Sequence, residues 1–186
     1  MTELALFLKQ VASKPREVVA LAPSSRALAR RMAEAVPDGP GNIVELGAGT
    51  GKITAALLEA GIPVDAIHSF EINPGFCDHL EREHPELRVY RDRAENFSRH
   101  GIEGIKAVVS GLPLLSMDEG IQRRIVGSAF GHLRPGGSFI QFTYGPVPPV
   151  SKAVRDELSL GWTRSETIWG NMPPATSYTF YRARAA

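Results

Sequence analysis

Two spacings of apolar residues run through this chain and mark its secondary structure. Apolar side chains three and four residues apart predict helices at 2–13, 25–35, 52–60, 73–84 and 118–133. Short, nearly continuous apolar runs predict buried strands at 42–46, 66–71, 87–90, 105–110 and 138–144. Two last segments, 162–169 and 177–182, alternate as an antiparallel pair does. This order predicts an α/β fold: an open, mixed, mostly parallel seven-stranded sheet with helices on both faces and an antiparallel C-terminal hairpin.

The first predicted strand ends in a turn with three alternating glycines. Gly47, Gly49 and Gly51 separate that strand from a helix that begins at Lys52. Glycine adopts positive φ and lets a ligand approach the main chain closely, and the helix start offers unpaired N–H groups. The dinucleotide-binding fingerprint does not fit, because its third glycine would fall at Lys52. The phosphate-binding P-loop does not fit either, because it needs a glycine where Leu46 stands.

With the acid before it, the turn reads Glu-x-Gly-x-Gly-x-Gly, which resembles the first motif of class I S-adenosylmethionine (SAM)-dependent methyltransferases. The resemblance implies that residues 47–51 pass beneath the amino-acid end of SAM and that Glu45 helps to orient that end. Glu71 ends the next predicted strand, about 20 residues beyond the turn, where an acid can accept hydrogen bonds from both ribose hydroxyls. A glycine-rich turn of another α/β protein is the alternative, but Glu71 at this distance favours the methyltransferase.

The composition narrows the classes of partner. The 186 residues include 21 Lys and Arg against 20 Asp and Glu, so the net charge of +1 lacks the basic excess of nucleic-acid-binding proteins. Cys77 is the only cysteine and the histidines show no ligand spacing, so we predict no metal site. No apolar run is long enough to span a bilayer and no signal peptide is evident, so we predict a cytoplasmic location.

The predicted first helix is amphipathic. Leu4, Phe7, Leu8 and Val11 form one apolar face, and basic residues outnumber acidic ones within residues 1–31. Two interpretations are open from this pattern. The helix packs on the core, or it lies in the interface of an anionic membrane.

Several longer stretches, taken in order, resemble a narrower family. They are Phe7-Leu8-Lys9, Ala22-Pro23-Ser24-Ser25-Arg26-Ala27-Leu28-Ala29-Arg30, Val44-Glu45-Leu46-Gly47-Ala48-Gly49-Thr50-Gly51, Ser110-Gly111-Leu112-Pro113-Leu114-Leu115-Ser116, Gln141-Phe142-Thr143-Tyr144-Gly145-Pro146 and Asn171-Met172-Pro173-Pro174-Ala175. Together they resemble the compact, membrane-associated bacterial phosphatidylethanolamine N-methyltransferases. The resemblance implies a Rossmann-like class I methyltransferase fold, SAM as methyl donor and an N-terminal amphipathic helix on an anionic membrane surface. We therefore predict membrane-facing N-terminal helices at 1–36 and a methyltransferase domain at 37–186, peripherally associated with the inner face of the membrane.

The resemblance also implies a set of cofactor contacts. The predicted cofactor-binding residues are Glu45, Gly47, Ala48, Gly49, Gly51, Glu71, Ile72, Asp92, Arg93, Ala94 and Ser110. The family usually shows Gly-Asp-Ala after the third strand, with the Asp near the adenine amino group. Here the run is Asp92-Arg93-Ala94, so the acid falls one position early. We expect Asp92 to serve in that place.

The loop after the fourth strand indicates the class of acceptor. Methyltransferases of planar amines carry an Asn- or Asp-Pro-Pro-Tyr type motif there, whereas this chain has Val109-Ser110-Gly111-Leu112-Pro113-Leu114. We therefore expect an sp³ amine rather than the planar amine of a base. Tyr144, at the end of the fifth strand, is the first candidate to contact that amine. The carbonyls of Ser110 and Leu112 are candidates to orient it.

Further polar and aromatic residues keep alternative roles. Trp169 or Tyr178 can hold a methylated ammonium through cation–π contact, or can pack in the core or face lipid. Asn171 is either a loop cap or a contact of the head group. The candidates to pair with a lipid phosphate are Arg26, Arg30 and Arg182.

The function predicted from the sequence is methyl transfer from SAM to the amino head group of phosphatidylethanolamine and its methylated intermediates, towards phosphatidylcholine. One alternative is N-methylation of another acceptor, an ornithine lipid or an RNA adenine. The RNA alternative lacks both the polar-Pro-Tyr motif and the basic chain that it would need, and no nucleic-acid partner is expected. The other alternative is a protein that binds SAM or lipid without catalysis.

Overall fold

A single sheet with helices on both sides forms the body of the protein. The structure, a computed structural model, describes residues 25–145 and 147–183. The strands are β1 (Asn42–Leu46), β2 (Ile67–Phe70), β3 (Arg88–Tyr90), β4 (Ile105–Ser110), β5 (Leu133–Thr143), β6 (Leu160–Arg164) and β7 (Thr176–Arg182). The α-helices of these residues are α1 (Arg26–Glu34), α2 (Lys52–Glu59), α3 (Pro74–Glu83), α4 (Glu119–His132) and α5 (Lys152–Glu157). The strand order is β3-β2-β1-β4-β5-β7-β6.

The pairing confirms the predicted mixed sheet. Strand β1 pairs in parallel with β2 and β4, β2 with β3, and β4 with β5. Strand β7 runs antiparallel to β5 and β6, which gives the predicted C-terminal hairpin. Every residue of β4 is buried, as expected for a central parallel strand with helices on both faces.

Two strands differ from their predicted bounds by more than one residue. Strand β5 begins at Leu133, five residues earlier than predicted, because Leu133 already pairs with Ile105 of β4. The next pair is Ala107 with Ser138, so the Pro-Gly-Gly turn between the two pairs forms a bulge within the strand. Strand β6 ends at Arg164 rather than at 169. The loop that follows contains Pro173 and Pro174, which lack the N–H groups that a continued ladder needs, and only an isolated bridge forms there.

Helix α1 packs into one of the buried apolar clusters of the described chain. The Ser25 hydroxyl caps it by accepting a hydrogen bond from the Leu28 N–H at 3.2 Å. Leu28, Ala29 and Met32 are fully buried in the cluster that also holds apolar residues of α2. The predicted N-terminal region of residues 1–36 therefore includes a helix that packs with the predicted domain of residues 37–186.

The predicted helix at 2–13 lies outside the described residues. Among the helices that the structure does describe, none combines the length and the apolar character that crossing a membrane requires.

The packing of α1 predicts a large effect of truncating its buried face. We expect Leu28→Ala to lower the free energy of unfolding by about 2–5 kcal/mol, because it removes a fully buried side chain and leaves a cavity. Leu115→Ala is the matched control, because Leu115 is 48% exposed and its truncation should cost far less. Chemical denaturation of both variants measures the difference. Equal effects would show that α1 does not belong to the core.

Candidate active site

The predicted site residues meet at one edge of the sheet. Leu46, Phe70 and Ser110 are register partners at the ends of β1, β2 and β4, and Ser110 is paired with Gln141 of β5. Parallel strands that end in register deliver their following loops to the same edge, where ligands of open α/β sheets bind.

The glycine turn has the conformation that its sequence predicts. Gly47, Gly49 and Gly51 have φ of 73°, 55° and 77°, values that residues with a side chain rarely adopt. The Gly47 N–H donates to the Phe70 carbonyl at 2.8 Å, which ties the turn to β2. Gly51 is the N-cap of α2 and supplies no side-chain cap, so the first N–H groups of that helix stay available.

The turn touches the loop that follows β4. A Cβ on Gly111 would lie 2.7 Å from the Gly47 carbonyl oxygen, and a Cβ on Gly47 would lie 2.7 Å from Leu112 Cδ2. The Gly111 N–H donates to the Leu46 carbonyl at 2.8 Å. The two loops are therefore in main-chain contact, and this contact leaves no room for a side chain on Gly111. At Gly47 the close atom belongs to a flexible side chain, and the positive φ is what favours glycine there.

Glu45 is a buried carboxylate beneath the turn. It is fully buried, and its Oε2 accepts hydrogen bonds from Ser69 Oγ at 2.6 Å and Thr54 Oγ1 at 2.7 Å. Burial raises the pKa of Glu45, and the two hydroxyls lower it in part. Its Oε1 has no hydrogen-bond partner among the described residues. The site thus holds an acceptor atom that lacks a donor.

Glu71 bridges the turn and the start of α3. Its Oε2 accepts from the Gly49 N–H at 2.8 Å, and its Oε1 accepts from the N–H groups of Ile72 and Asn73, each at 2.8 Å. Oε1 is fully used, whereas Oε2 can accept from one more donor. The adjacent Ile72 side chain is 66% exposed at this edge.

Asp92 organises the segment after β3. Its Oδ1 accepts from the Arg93 N–H and from Asn96 Nδ2, each at 2.7 Å, and its Oδ2 lies 3.0 Å from His100 Nε2. These hydrogen bonds hold the pKa of Asp92 at about 2, so the carboxylate is ionised at neutral pH. The Arg93 side chain pairs with Glu95 at 3.1 Å. The Glu71 N–H donates to the Tyr90 carbonyl, which places this segment beside Glu71.

The predicted acceptor loop is held by a residue that the sequence did not single out. Gln141 Nε2 donates to the Leu112 carbonyl at 2.8 Å, and the Leu114 N–H donates to the same carbonyl at 2.9 Å. The predicted contact between the Leu112 carbonyl and an amine therefore requires one of these hydrogen bonds to break. Ser110 is fully buried, and its Oγ accepts from the Leu112 N–H at 3.3 Å. In the sequence, Gln141 is distinguished only as a polar residue within an otherwise mostly apolar strand, which is a weak indication of a role.

Tyr144 and Asn171 are joined at the same edge. The Tyr144 ring packs edge-on against Phe142, burial raises the pKa of its hydroxyl, and a hydrogen bond with Asn171 lowers that pKa in part. Asn171 is 2% exposed; its Oδ1 accepts from the Ser25 N–H and its Nδ2 donates to the Pro173 carbonyl, each at 2.7 Å. These bonds confirm the loop-cap interpretation of Asn171. They also connect Tyr144 to the start of α1.

The structure corrects two of the open roles. Tyr178 is 1% exposed and packs on Phe180 and Trp162, so core packing is confirmed and contact with an ammonium is not. Arg182 lies at the end of β7 that points away from this edge, and its guanidinium donates to the Phe130 carbonyl, so of the three candidate phosphate ligands it is not placed at this site. Trp169 is 79% exposed.

The other two candidate phosphate ligands form ion pairs on the surface. Arg26 pairs with Glu59 at 2.7 Å and Arg30 with Glu34 at 3.1 Å, and both stay exposed. A cleft of about 190 Å³ lies between α1 and the hairpin, and none of the predicted site residues lines it. Within residues 25–145 and 147–183, no group of three His, Cys, Asp or Glu side chains is placed to hold a metal ion.

Comparison with known proteins identifies the family. No protein-family model matches the chain. It is 31% identical over 188 residues to the ornithine lipid N-methyltransferase of Singulisphaera acidiphila, covering 96% of this chain and 95% of that protein. This chain belongs to the class I SAM-dependent methyltransferases. A TehB-like SAM-dependent methyltransferase from Corynebacterium glutamicum has the same fold, with a TM-score of 0.65 at 15% identity over 96% of this chain and 99% of that one.

SAM is the cofactor of this methyltransferase. A further match, to the glycopeptide N-methyltransferase MtfA in complex with SAM, has a TM-score of 0.55 at 18% identity over 84% of this chain and 66% of that one. Two features of the present site fit SAM. The glycine turn leaves a main-chain cradle without side chains, and the buried Glu45 Oε1 beneath it is an acceptor that lacks a donor among the described residues.

The contact between the two loops predicts that a single methyl group disturbs the cofactor site. Gly111→Ala places a Cβ against the Gly47 carbonyl, so we expect the affinity for SAM to fall at least tenfold, about 1.4 kcal/mol or more. Gly127→Ala is the matched control, because a Cβ on Gly127 of α4 meets nothing within 4 Å. Titration calorimetry on folded protein compares the two. Wild-type affinity in the Gly111 variant would refute the proposed coupling of the loops.

The burial of Glu45 predicts a pH dependence with a defined sign. Because its folded-state pKa is raised, stability is full below the unfolded-state pKa of about 4.3 and falls as the pH rises through the folded-state value. We expect Glu45→Gln to abolish this loss in the free protein and to weaken SAM binding, since the amide carries no charge. Thermal melts across pH, with and without SAM, test both effects. Unchanged SAM affinity in the variant would rule out the contact.

Proposed function

We propose that this methyltransferase transfers methyl groups from SAM to the primary amine of a membrane-lipid head group, phosphatidylethanolamine or ornithine lipid. The observation that carries the proposal is the similarity to an ornithine lipid N-methyltransferase over nearly the full length of both chains. The sequence stretches that resemble phosphatidylethanolamine N-methyltransferases support the second acceptor. Both lipids present an sp³ amine, in agreement with a loop after β4 that lacks the planar-amine motif.

The cofactor half of the site is the edge of β1, β2 and β3. Residues 47–51 hold the amino-acid end of SAM, with Glu45 as the counter-charge of its amino group. Glu71 Oε2, which can accept one more hydrogen bond, accepts it from a ribose hydroxyl. The exposed Ile72 side chain covers the adenine, and the ionised Asp92 accepts a hydrogen bond from the adenine amino group. When bound, SAM supplies a methyl group on a sulfonium, which an uncharged amine attacks.

The acceptor half must deliver a neutral amine. A primary ammonium of the lysine type has a pKa of about 10.4, and burial among apolar groups lowers it. Tyr144 stands at the end of β5 with a raised pKa, so its hydroxyl is neutral at physiological pH and does not act as a phenolate base. We assign it a positioning role in which its oxygen accepts an N–H of the amine. The hydrogen bond with Asn171 fixes the orientation of that hydroxyl.

The test of this function is a direct comparison of acceptors. Purified protein receives SAM with a labelled methyl group and vesicles that contain phosphatidylethanolamine, ornithine lipid, or neither, together with an adenine-containing RNA. We expect label in an amino lipid and none in RNA. Label in RNA, or SAM binding without transfer to either lipid, would contradict the proposal.

The role of Tyr144 predicts a loss of turnover without a loss of cofactor binding. Tyr144→Phe keeps the ring against Phe142 and removes the hydroxyl, so we expect kcat to fall about 100-fold with unchanged SAM affinity. Tyr181→Phe is the control, because Tyr181 is 41% exposed on β7 and should retain wild-type kinetics. Steady-state kinetics with the better of the two lipid acceptors measure kcat for both variants. A Tyr144 variant with full kcat would remove this residue from the site.

A further inference from the structure

The acceptor edge of the sheet is free of charge over three separate stretches. Residues 107–117, 135–151 and 167–181 contain no Asp, Glu, Lys, Arg or His, in a chain of which 22% is charged. The first two stretches carry the loops after β4 and β5, and the third carries the loop before β7. These three strands are neighbours in the sheet. The loops therefore form one continuous uncharged rim beside Tyr144.

This rim exposes large apolar side chains. Trp169 is 79% exposed and Met172 is 88% exposed, and Leu115 and Val147 are about half exposed on the two neighbouring loops. Asn171, which stands between Trp169 and Met172 in the sequence, is 2% exposed and is held by its hydrogen bonds to Ser25 and Pro173. The loop is thus anchored at its middle while its two apolar side chains point outwards.

We propose that this rim, formed by Leu115, Val147, Trp169 and Met172, is a membrane-docking surface that enters the bilayer interface. The inference rests on the proposed function, because a lipid acceptor brings its bilayer to the edge at which its amine must react. Trp is the residue that favours the membrane–water interface, where its ring is partly in lipid and its N–H in water. Docking by this rim would turn the acceptor half of the site towards the head groups.

Two further observations favour a bilayer over other occupants. A nucleic acid would require basic side chains, and the rim carries none. The Ser25 N–H bonds to Asn171 within the rim, so the part of the chain that the structure describes begins beside the rim. The membrane-binding helix predicted at 2–13 precedes this point in the sequence, and a bilayer on the rim agrees with that separate prediction.

The fluorescence of Trp169 tests the docking directly. The chain has two tryptophans, so Trp162→Phe leaves Trp169 as the only emitter, and Trp169→Phe leaves Trp162 on β6 as the control. Vesicles of phosphatidylglycerol and phosphatidylcholine, with and without bromine on the acyl chains, serve as the probe. We expect blue-shifted emission and quenching by brominated lipid for Trp169, and neither for Trp162. Vesicle-bound protein whose Trp169 is not quenched would overturn the proposal, as would a Trp169 that is already blue-shifted without vesicles and so is covered by protein.

A kinetic experiment tests membrane docking separately from methyl transfer. For the double variant Trp169→Ser with Met172→Ser, we expect about a tenfold loss of methyl transfer to lipid in vesicles, and none to a short-chain, monomeric form of the same lipid. An equal loss on both substrates would overturn the docking role. If the wild-type chain methylates neither lipid, the proposed function fails, and the quenching of Trp169 still decides whether the rim enters the bilayer.

Discussion

The site depends on the main-chain contact between the glycine turn after β1 and the loop after β4. Gly111 has no room for a Cβ, because the Gly47 carbonyl oxygen occupies the place, and Gly47 is confined in turn by Leu112. The parallel pairing of β1 with β4 ends both strands in register, so the two loops lie side by side at the same edge of the sheet. The turn that we propose to hold the cofactor and the loop that we propose to face the acceptor are therefore in direct contact, and such a contact suits a reaction governed mostly by placement.

The charges of this edge divide between two sets of loops. Three carboxylates, Glu45, Glu71 and Asp92, lie at or just beyond the ends of β1, β2 and β3. The loops after β4 and β5 and before β7 carry no charge over long stretches. The function that we propose pairs a cationic, polar cofactor with a neutral amine on an apolar lipid, and these two make opposite demands on their surroundings. The topology of the sheet, which separates the two sets of loops, agrees with that proposal.

Local patterns predicted the fold and the conformation of the glycine turn, because glycine spacing and apolar periodicity are properties of short segments. The bridging role of Glu71 was not predictable in this way. Two of its N–H donors are the next two residues in the chain, but the third, that of Gly49, depends on how the glycine turn folds back on β2. Gln141, Asn171 and Arg182 make hydrogen bonds to partners 29 or more residues distant in the chain, and Tyr178 acts through burial. Their roles follow from the direction of β7 and the packing of α1, which a single sequence does not encode locally.

The central claim is that a lipid amine and SAM meet across the Gly47–Gly111 contact, beside Tyr144. A crystal structure with S-adenosylhomocysteine and phosphoethanolamine, which carries the head-group amine without acyl chains, tests it most directly. The account predicts the amine nitrogen at hydrogen-bonding distance from the Tyr144 hydroxyl, roughly 3 Å, and facing the cofactor sulfur. A head group bound elsewhere on the protein, with the cofactor in the glycine turn, would contradict it.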